Sequence, residues 1–452
     1  MLARAEGDCL RRPPIIDGGT NLLEATRLMR AKPSDCLLVE DQGRTGIVTG
    51  TDLLDAVVLK KIPVEACVRD IASFQLISME SGAFLFHALV LMTRHHIERV
   101  VVFRDQEVQG IVDLTDILSH FSTHSHVIAL RIERSASTEQ LKEASRGLPT
   151  LVRALVSHGV KMPFIMDLMA ALNGRIMRKL FEMVMPAELV AHSCLMVMGS
   201  EGRGEQILKT DQDNALVVAD DVDPATLSSP LAQFSSLLVD MGFPSCPGNI
   251  MVSNPQWVMT QSQWRQHLNT WITSGEAQHF MQLAIFSDAQ GLAGHRILFK
   301  QLKEEFLAHL KNNELFFHHF VKPALNFQSP FTLFGGLKSD IDLKKTGIFP
   351  IVHGVRTLAL RHQVWETNTL ERLQQLALKG VLSDPQASSL KHAFITLVRM
   401  NLGHKLRHAE QDTSLVHTER IQRMDRDLLR DSLRIVKDFR LFLSQTFHQN
   451  FG

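Results

Sequence analysis

Tyrosine is absent from this 452-residue chain, so any chemistry it performs on a phenolic hydroxyl must be performed on another molecule. Cysteine is scarce: Cys9, Cys36, Cys67, Cys194 and Cys246 are odd in number and far apart, with no Cys-x-x-Cys. That argues against a disulfide framework and for a reducing compartment. No apolar run approaches the roughly 18 residues of a membrane helix, and the opening MLARAEGDCLRRPP lacks the apolar stretch of a secretion signal. The expected setting is cytoplasmic, away from membrane. Net charge is missing as well, because 48 Lys+Arg balance 48 Asp+Glu. No global field then draws the chain to DNA, RNA or anionic lipid, and any nucleotide site has to be local. The 21 histidines are scattered, without HExxH or Cys/His zinc spacing.

What is present is a globular composition, 45% hydrophobic and 21% charged, in a chain long enough for about three domains. The first third is duplicated. LLEATRLMRAKPSDCLLVEDQGRTGIVTGTDLLDAV aligns with FLFHALVLMTRHHIERVVVFRDQEVQGIVDLTDILSHF. Met29 matches Met92 and Val39 matches Val102 at an offset of 63, whereas Gly46 matches Gly110 at 64, so one residue is inserted between. Each copy reads as helix, strand, turn, strand, helix, with CLLVE and RVVVF as buried strands. Units this small are expected to bury their apolar faces against each other.

On GIVTGTD and GIVDLTD, residues 10–122 resemble the paired cystathionine-beta-synthase (CBS) domain, a regulatory module that binds adenine nucleotides between its copies. The resemblance implies ligand contacts from Thr49 and Asp52, and in the second copy from Asp116, with Asp113 standing where the first copy has threonine. It also implies a homodimer through the CBS pair. A Thr-x-x-Asp segment is equally a helix capping device. Arg94, His95, His96 and Arg99 offer positive charge nearby, or a solvated helix end.

After helices over roughly 123–190 comes GSEGRGEQILKTDQDNALVV, residues 199–218. HSCLMVMG reads as a strand, SEGRGEQIL as a turn entering a helix, and DNALVV as the next strand. Asp211 and Asp213, two apart, project to one side of a strand mouth. Like charges that close need a shared cation or proton, and a nucleoside triphosphate brings Mg2+, which takes a few carboxylates plus phosphate oxygens. Gly199 lets the backbone approach a phosphate, Ser200 donates from its hydroxyl, and amides at a helix start favour an anion. The bland alternative for a lone DxD is a solvated turn.

Gly-Ser, ten residues, Asp-x-Asp resembles the polymerase-beta-like nucleotidyltransferase superfamily. The longer string is closer to a bacterial signal-transduction family that couples CBS domains to a nucleotidyltransferase, itself similar to the P-II protein uridylyltransferase, whose motif also carries Gly-Arg-Gly-Glu before Asp-x-Asp. The resemblance implies a Mg2+ site at Asp211 and Asp213, triphosphate binding by Gly199, Ser200, Arg203 and Glu205, and a third carboxylate. Asp288 is the candidate, as a strand-end acid in FMQLAIFSDAQGLAG; Gln290 stands where the uridylyltransferase pattern has arginine. Cys246, in CPGNIMVSNPQW, reads as a buried small apolar residue.

From 305 onward apolar residues recur at helical spacing, as in IVHGVRTLALRHQVWE and DRDLLRDSLRIVKDFRLFLSQTF, with short breaks that suit an antiparallel bundle. This third resembles the substrate-binding domain of the same family, and Lys344, Lys345, Arg356 and Arg361 are candidates to face its cleft. The expected architecture is α/β plus all-α: a CBS pair at 10–122, a helical lead-in and mixed-sheet transferase core at 135–304, and a helical bundle at 305–452. The expected activity is Mg2+-dependent transfer of a nucleoside monophosphate from a triphosphate to a hydroxyl of an acceptor protein, under adenine-nucleotide control. The alternative is a non-catalytic nucleotide-sensing module.

Overall fold

The computed structural model describes the chain except residues 1–4, 6–9, 32–34, 96, 106, 115–116, 118–123, 158, 327–328, 333–335, 408–413 and 449–452, and except the side chains of 124–127. Asp116 and His96 therefore lie outside the described residues. The chain divides into two compact units, Met1–Val127 and Ile128–Gly452.

In the first unit, β1 (Ile15–Asp17) runs parallel to β2 (Cys36–Asp41), which pairs antiparallel with β3 (Arg44–Thr49). The second copy repeats this with β4 (Ser78–Glu80), β5 (Arg99–Arg104) and β6 (Glu107–Asp113). Alternation along β2 explains why two copies are needed. Leu37 and Val39 pack into their own copy with Leu22, Ala25 and Val48, while Cys36 and Leu38 meet Val101 and Ile111 of the other copy. The extra residue inferred from the offset change is a β-bulge. Val102 pairs with Gly110 but Phe103 with Val108, leaving Gln109 unpaired. Gly110 is required there, since its φ is +153° and a Cβ would lie 2.5 Å from the Arg11 carbonyl.

The second unit begins with helices Thr138–Ser145, Leu148–Ser157 and Met162–Val184. They lead into a four-stranded sheet of β7 (Ser193–Val197), β8 (Asn214–Val218), β9 (Val258–Thr260) and β10 (Gln290–Gly294), in the order β10-β7-β8-β9. β7 is antiparallel to β10 and β8, and β9 is parallel to β8. Every residue of β7 and β8 is buried, which is why both read as unbroken apolar runs rather than alternating ones. Behind β8, Trp264 donates to the Leu216 carbonyl at 2.9 Å and stacks on Phe286 at 5.4 Å.

The C-terminal part is helical, with helices Phe349–Arg361, Thr369–Leu378, Asp384–Arg407 and Arg423–Thr446. A two-stranded ribbon joins β11 (Asp340–Asp342) to β12 (Leu415–His417). Helix Phe349–Arg361 is buried from Pro350 through Leu360, and a Cβ on Gly354 would fall 2.5 Å from Leu443 and 2.6 Å from Phe439. Mixed sheet plus helices, preceded by the CBS-like pair and followed by a helical region, is the architecture expected from sequence. No helix among the described residues is long and apolar enough to cross a membrane.

Two local expectations fail. GSEGRGEQIL does not enter a long helix: the helix is a single turn, Gly199–Gly202, followed by an irregular stretch to residue 213. FMQLAIFS is not a strand but part of helix Ala277–Ser287, with Asp288 at its C-cap. A short, mostly apolar run without alternation fits either structure, and here five-residue β10 starts after the acid rather than ending at it.

Candidate active site

The register of β7 on β8 creates the site. Val197, the last residue of β7, pairs with Asn214, the first of β8, so the Gly-Ser turn and the Asp-x-Asp segment emerge side by side. The Met198 amide donates to the Asp213 carbonyl at 2.8 Å. Gly199 has φ +54°, and a Cβ there would lie 2.2 Å from Asp213 Oδ2. Only glycine permits both that backbone conformation and that approach. Ser200 is half-buried in the same turn.

Asp211 and Asp213 are half-buried and share their space with the Cys246 thiol, one donor atom from each lying within 4.8 Å of the others. Burial pushes the Asp213 carboxyl up to about 6, opposed by a hydrogen bond from Cys246 and reinforced by Asp211. Arg203 and Lys344 pull in the other direction, so the exposed Lys344 brings positive charge to bear on the pair. Two carboxylates facing each other beside a glycine backbone form a hard oxygen donor set of the kind Mg2+ takes together with phosphate oxygens.

The Gly-Arg-Gly-Glu part of the motif has turned inward. Arg203 Nε donates to Glu205 at 2.7 Å and Nη1 to Asp288 at 2.6 Å. Burial disfavours this guanidinium, but Glu205 and Asp288 outweigh it and raise its pKa. Asp288 is fully buried and receives two more guanidinium groups. Arg356 donates from Nε at 3.0 Å and also from Nη2, and Arg372 donates from Nη1 at 2.8 Å. Burial alone would raise the Asp288 pKa, but Arg356, Arg203 and Arg372 hold it well below the usual carboxylate range.

Asp288 therefore departs from the expected third acid. It stands at the correct end of the sheet, one residue before Ala289 and the Gln290–Val197 pair, but both its oxygens are committed to arginines and it is too weak a base to take a proton from a hydroxyl. Arg203 and Glu205, which the sequence also offers as an ion pair orienting the turn, form that pair at 2.7 Å and are engaged with protein rather than open to a phosphate. Arg356 is buried on Asp288 rather than open to a cleft, and Arg361 pairs with Glu314 at 3.0 Å and lies over Phe447. Gln290 donates to Thr367 Oγ1 at 2.5 Å.

Sequence reasoning missed two groups. Glu201, half-buried in the Gly-Ser turn, is pushed up to about 8 by burial and accepts from Asn173 at 3.3 Å. Cys246 is brought to the aspartates by a loop stitched onto the Asp-x-Asp backbone: the Gln212 amide donates to Pro244 O, the Asn214 amide to Ile250 O, and the Val252 amide to Asn214 Oδ1. No spacing in the sequence signals either.

In the first unit, Thr49 and Asp52 form a complete capping box. The Thr49 amide and hydroxyl donate to Asp52 Oδ2 at 2.8 and 2.6 Å, and the Asp52 amide donates back to Thr49 Oγ1 at 3.2 Å. The capping alternative is thus present in the geometry. Asp113 is buried and paired with Arg99 at 3.0 Å, which offsets its charge.

Three family models match successive parts of the chain. The CBS domain matches residues 7–59 and 68–123. The family described as "Putative nucleotidyltransferase DUF294" matches 146–278, and the "Putative nucleotidyltransferase substrate binding domain" matches 314–447. No match was found among curated proteins. Similar solved structures include a conserved protein from Pyrococcus horikoshii, 24% identical, covering 25% of this chain and 89% of that one with a TM-score of 0.24. Another is a CBS domain protein from Pyrobaculum aerophilum complexed with AMP, 22% identical, covering 25% and 89% with a TM-score of 0.23. The chain carries, in order, CBS domains, a domain matched by the nucleotidyltransferase family and the helical substrate-binding domain of that family.

Proposed function

We propose that the protein is a Mg2+-dependent nucleotidyltransferase that moves a nucleoside monophosphate from a triphosphate to a hydroxyl of an acceptor protein, in the manner of the P-II protein uridylyltransferase. The observation that carries this reading is the approach of Asp213 to Gly199, which sets paired carboxylates against a glycine backbone at one sheet end. Asp211 and Asp213 hold Mg2+, and Gly199 and Ser200 lie against the phosphates. The ion supplies Lewis-acid neutralisation of the triphosphate. Lys344 adds positive charge to the same opening for phosphate or acceptor. Arg203, Glu205 and Asp288 are positioning residues that fix the turn from beneath.

In this reading residues 10–122 sense adenine nucleotide through Thr49, Asp52 and Asp116 and form a cytoplasmic homodimer, residues 135–304 do the chemistry, and residues 305–452 bind the acceptor. One observation favours the second reading, a nucleotide-sensing module without catalysis: the acid nearest the expected third position is locked among arginines. Incubation of the full chain with each labelled triphosphate, Mg2+ and a cell lysate separates the two. Label on a tyrosine of another protein supports transfer. Triphosphate protection of Asp213 from carbodiimide without any labelled product supports the sensor. Self-labelling on serine or threonine refutes the P-II-like acceptor.

A further inference from the structure

Glu201 is the one acid of the Gly199–Gly202 turn, next in the chain to Ser200. An ionised side chain there would repel the phosphates that the proposed reading sets against Gly199 and Ser200. Its neighbours are amides rather than cations. Asn173 Nδ2 donates to Glu201 Oε2 at 3.3 Å. Gln206, with its oxygen turned to the Thr210 hydroxyl and amide at 2.6 and 2.7 Å, gives its nitrogen to the same Oε2. Helix Met162–Val184 thus brings the fully buried Asn173 to the carboxyl, and the irregular stretch after the turn brings Gln206 and Thr210. From the C-terminal part, Thr367 covers the Gly202 carbonyl, while Arg203 is committed to Glu205 and Asp288. Among the described residues no charged side chain contributes to the titration of Glu201.

Asn173 Oδ1, the other end of the amide that binds Glu201, is buried without a hydrogen-bond partner among the described residues. A buried acceptor left unpaired is costly. A carboxylate has only lone pairs to offer it, whereas a carboxylic acid carries one O–H. An acid facing a primary amide closes a ring in which the amide N–H meets one acid oxygen and the acid O–H meets the amide oxygen. The Asn173–Glu201 contact is the first half of that ring.

We infer that Glu201 is a positioning residue held as a neutral carboxylic acid, its Oε1–H donated to Asn173 Oδ1, so that the Gly-Ser turn meets a triphosphate without a negative charge of its own. Burial acts in the same direction, pushing this carboxyl up to about 8 against the Asn173 hydrogen bond. Titration sends the Oε1 proton to solvent, opens the ring and leaves a charge beside Ser200. The inference rests on the proposed reading for its ligand alone.

Calorimetry of the full chain with Mg2+ and the α,β-methylene analogues of ATP, GTP, CTP and UTP provides the test. The neutral fraction of a carboxyl titrating at about 8 falls about tenfold between pH 7 and 9, and wild-type affinity is expected to fall by about as much. Glu201→Gln, whose amide closes the same ring at either pH, is expected to bind about tenfold more tightly than wild type at pH 9. Identical pH profiles for wild type and Glu201→Gln would overturn the inference. Infrared difference spectra of the wild-type chain between pH 7 and 9 read the proton directly. Loss of a carboxylic-acid C=O band is expected, and it should be missing from Glu201→Gln. A wild type without that band would overturn the inference even where the variant fails to fold. Binding of no analogue at any pH would refute the transferase reading and the phosphate role together, while the band still decides whether Glu201 carries a proton.

Discussion

Replacing Asp288 by asparagine tests the reading of the buried arginine cluster most directly. The exchange is nearly isosteric, so its effect is electrostatic. It removes the carboxylate on which Arg203, Arg356 and Arg372 converge, Arg203 at 2.6 Å and Arg372 at 2.8 Å. Breaking a buried ion pair from one side costs about 3–5 kcal/mol, because the surviving charge stays buried. Three guanidinium groups place this case in the upper half. They are not left bare, since Arg203 keeps Glu205, Arg356 keeps His353 and Arg372 keeps the carbonyls of Ser287 and Glu366. A loss of about 4–5 kcal/mol, at about 2 °C per kcal/mol for a large unit, lowers the thermal midpoint by about 8–10 °C. The pH dependence has a definite sign. Asp288 has its folded pKa held below the ordinary 3.8, so its stabilisation is full above about pH 4 and is lost as pH falls below that. Thermal melts from pH 2.5 to 7 should show a steep acid limb in the wild type and a flatter one in Asp288→Asn. A variant that melts with the wild type but loses Mg2+-dependent triphosphate binding would refute the cluster and restore Asp288 as an active-site acid.

The Asp211→Asn/Asp213→Asn double variant should lose Mg2+-dependent triphosphate binding by calorimetry, yet be at least as stable as wild type without metal, because burial and Asp211 already disfavour the Asp213 charge; unchanged affinity would reduce the motif to a surface turn. Gly199→Ala should cost about 1–2 kcal/mol in backbone conformation alone, and it should displace Asp213, whose Oδ2 lies 2.2 Å from the added carbon; a variant of wild-type stability and affinity would refute the close approach. Burial depresses Lys303 to about 7, helped by Arg372, so the unfolded chain binds the extra proton between about pH 7 and 10 and stability should rise with pH across that window; in Lys303→Met that rise should vanish, and a wild type that is flat there would contradict the assignment.

The parts of the fold that repeat or run long were legible. The internal duplication predicted two units that bury their apolar faces against each other, and the change of offset from 63 to 64 placed one inserted residue between Val102 and Gly110, where the structure has the bulge at Gln109. β7 and β8 were legible as buried apolar runs on either side of the Gly-Ser and Asp-x-Asp motifs. The segment before Asp288 was not, because a short, mostly apolar run without alternation fits a helix as well as a strand. Its partners were less legible still: Arg356 and Arg372 arrive from helices 68 and 84 residues further along, and nothing local to FMQLAIFSDAQ announces them. Cys246 shares this limit, since its place beside Asp213 is set by backbone hydrogen bonds between two loops.

The string from 199 to 213 thus serves two ends with different physics. Gly199, Ser200, Asp211 and Asp213 sit where a charged ligand can reach them. Arg203 and Glu205 do not: the Gly202 carbonyl accepts from Thr367 at 2.8 Å, the Arg203 carbonyl from Asn368 Nδ2 at 2.9 Å, and Glu205 Oε1 from the Thr369 amide at 2.7 Å. Thr367, Asn368 and Thr369 lead into helix Thr369–Leu378 of the C-terminal helical part, with Asn368 as its N-cap, and Arg203 links this seam to Asp288, on which Arg356 and Arg372 also converge. This hydrogen-bonded seam holds the Gly-Ser turn from one side, while the Met198 amide on Asp213 and Asn173 on Glu201 hold it from the other. Reading the motif as uniformly catalytic therefore misplaces half of it. In the proposed reading the glycine turn and aspartates address the triphosphate, while Arg203 and Glu205 tie that turn to the C-terminal helical part.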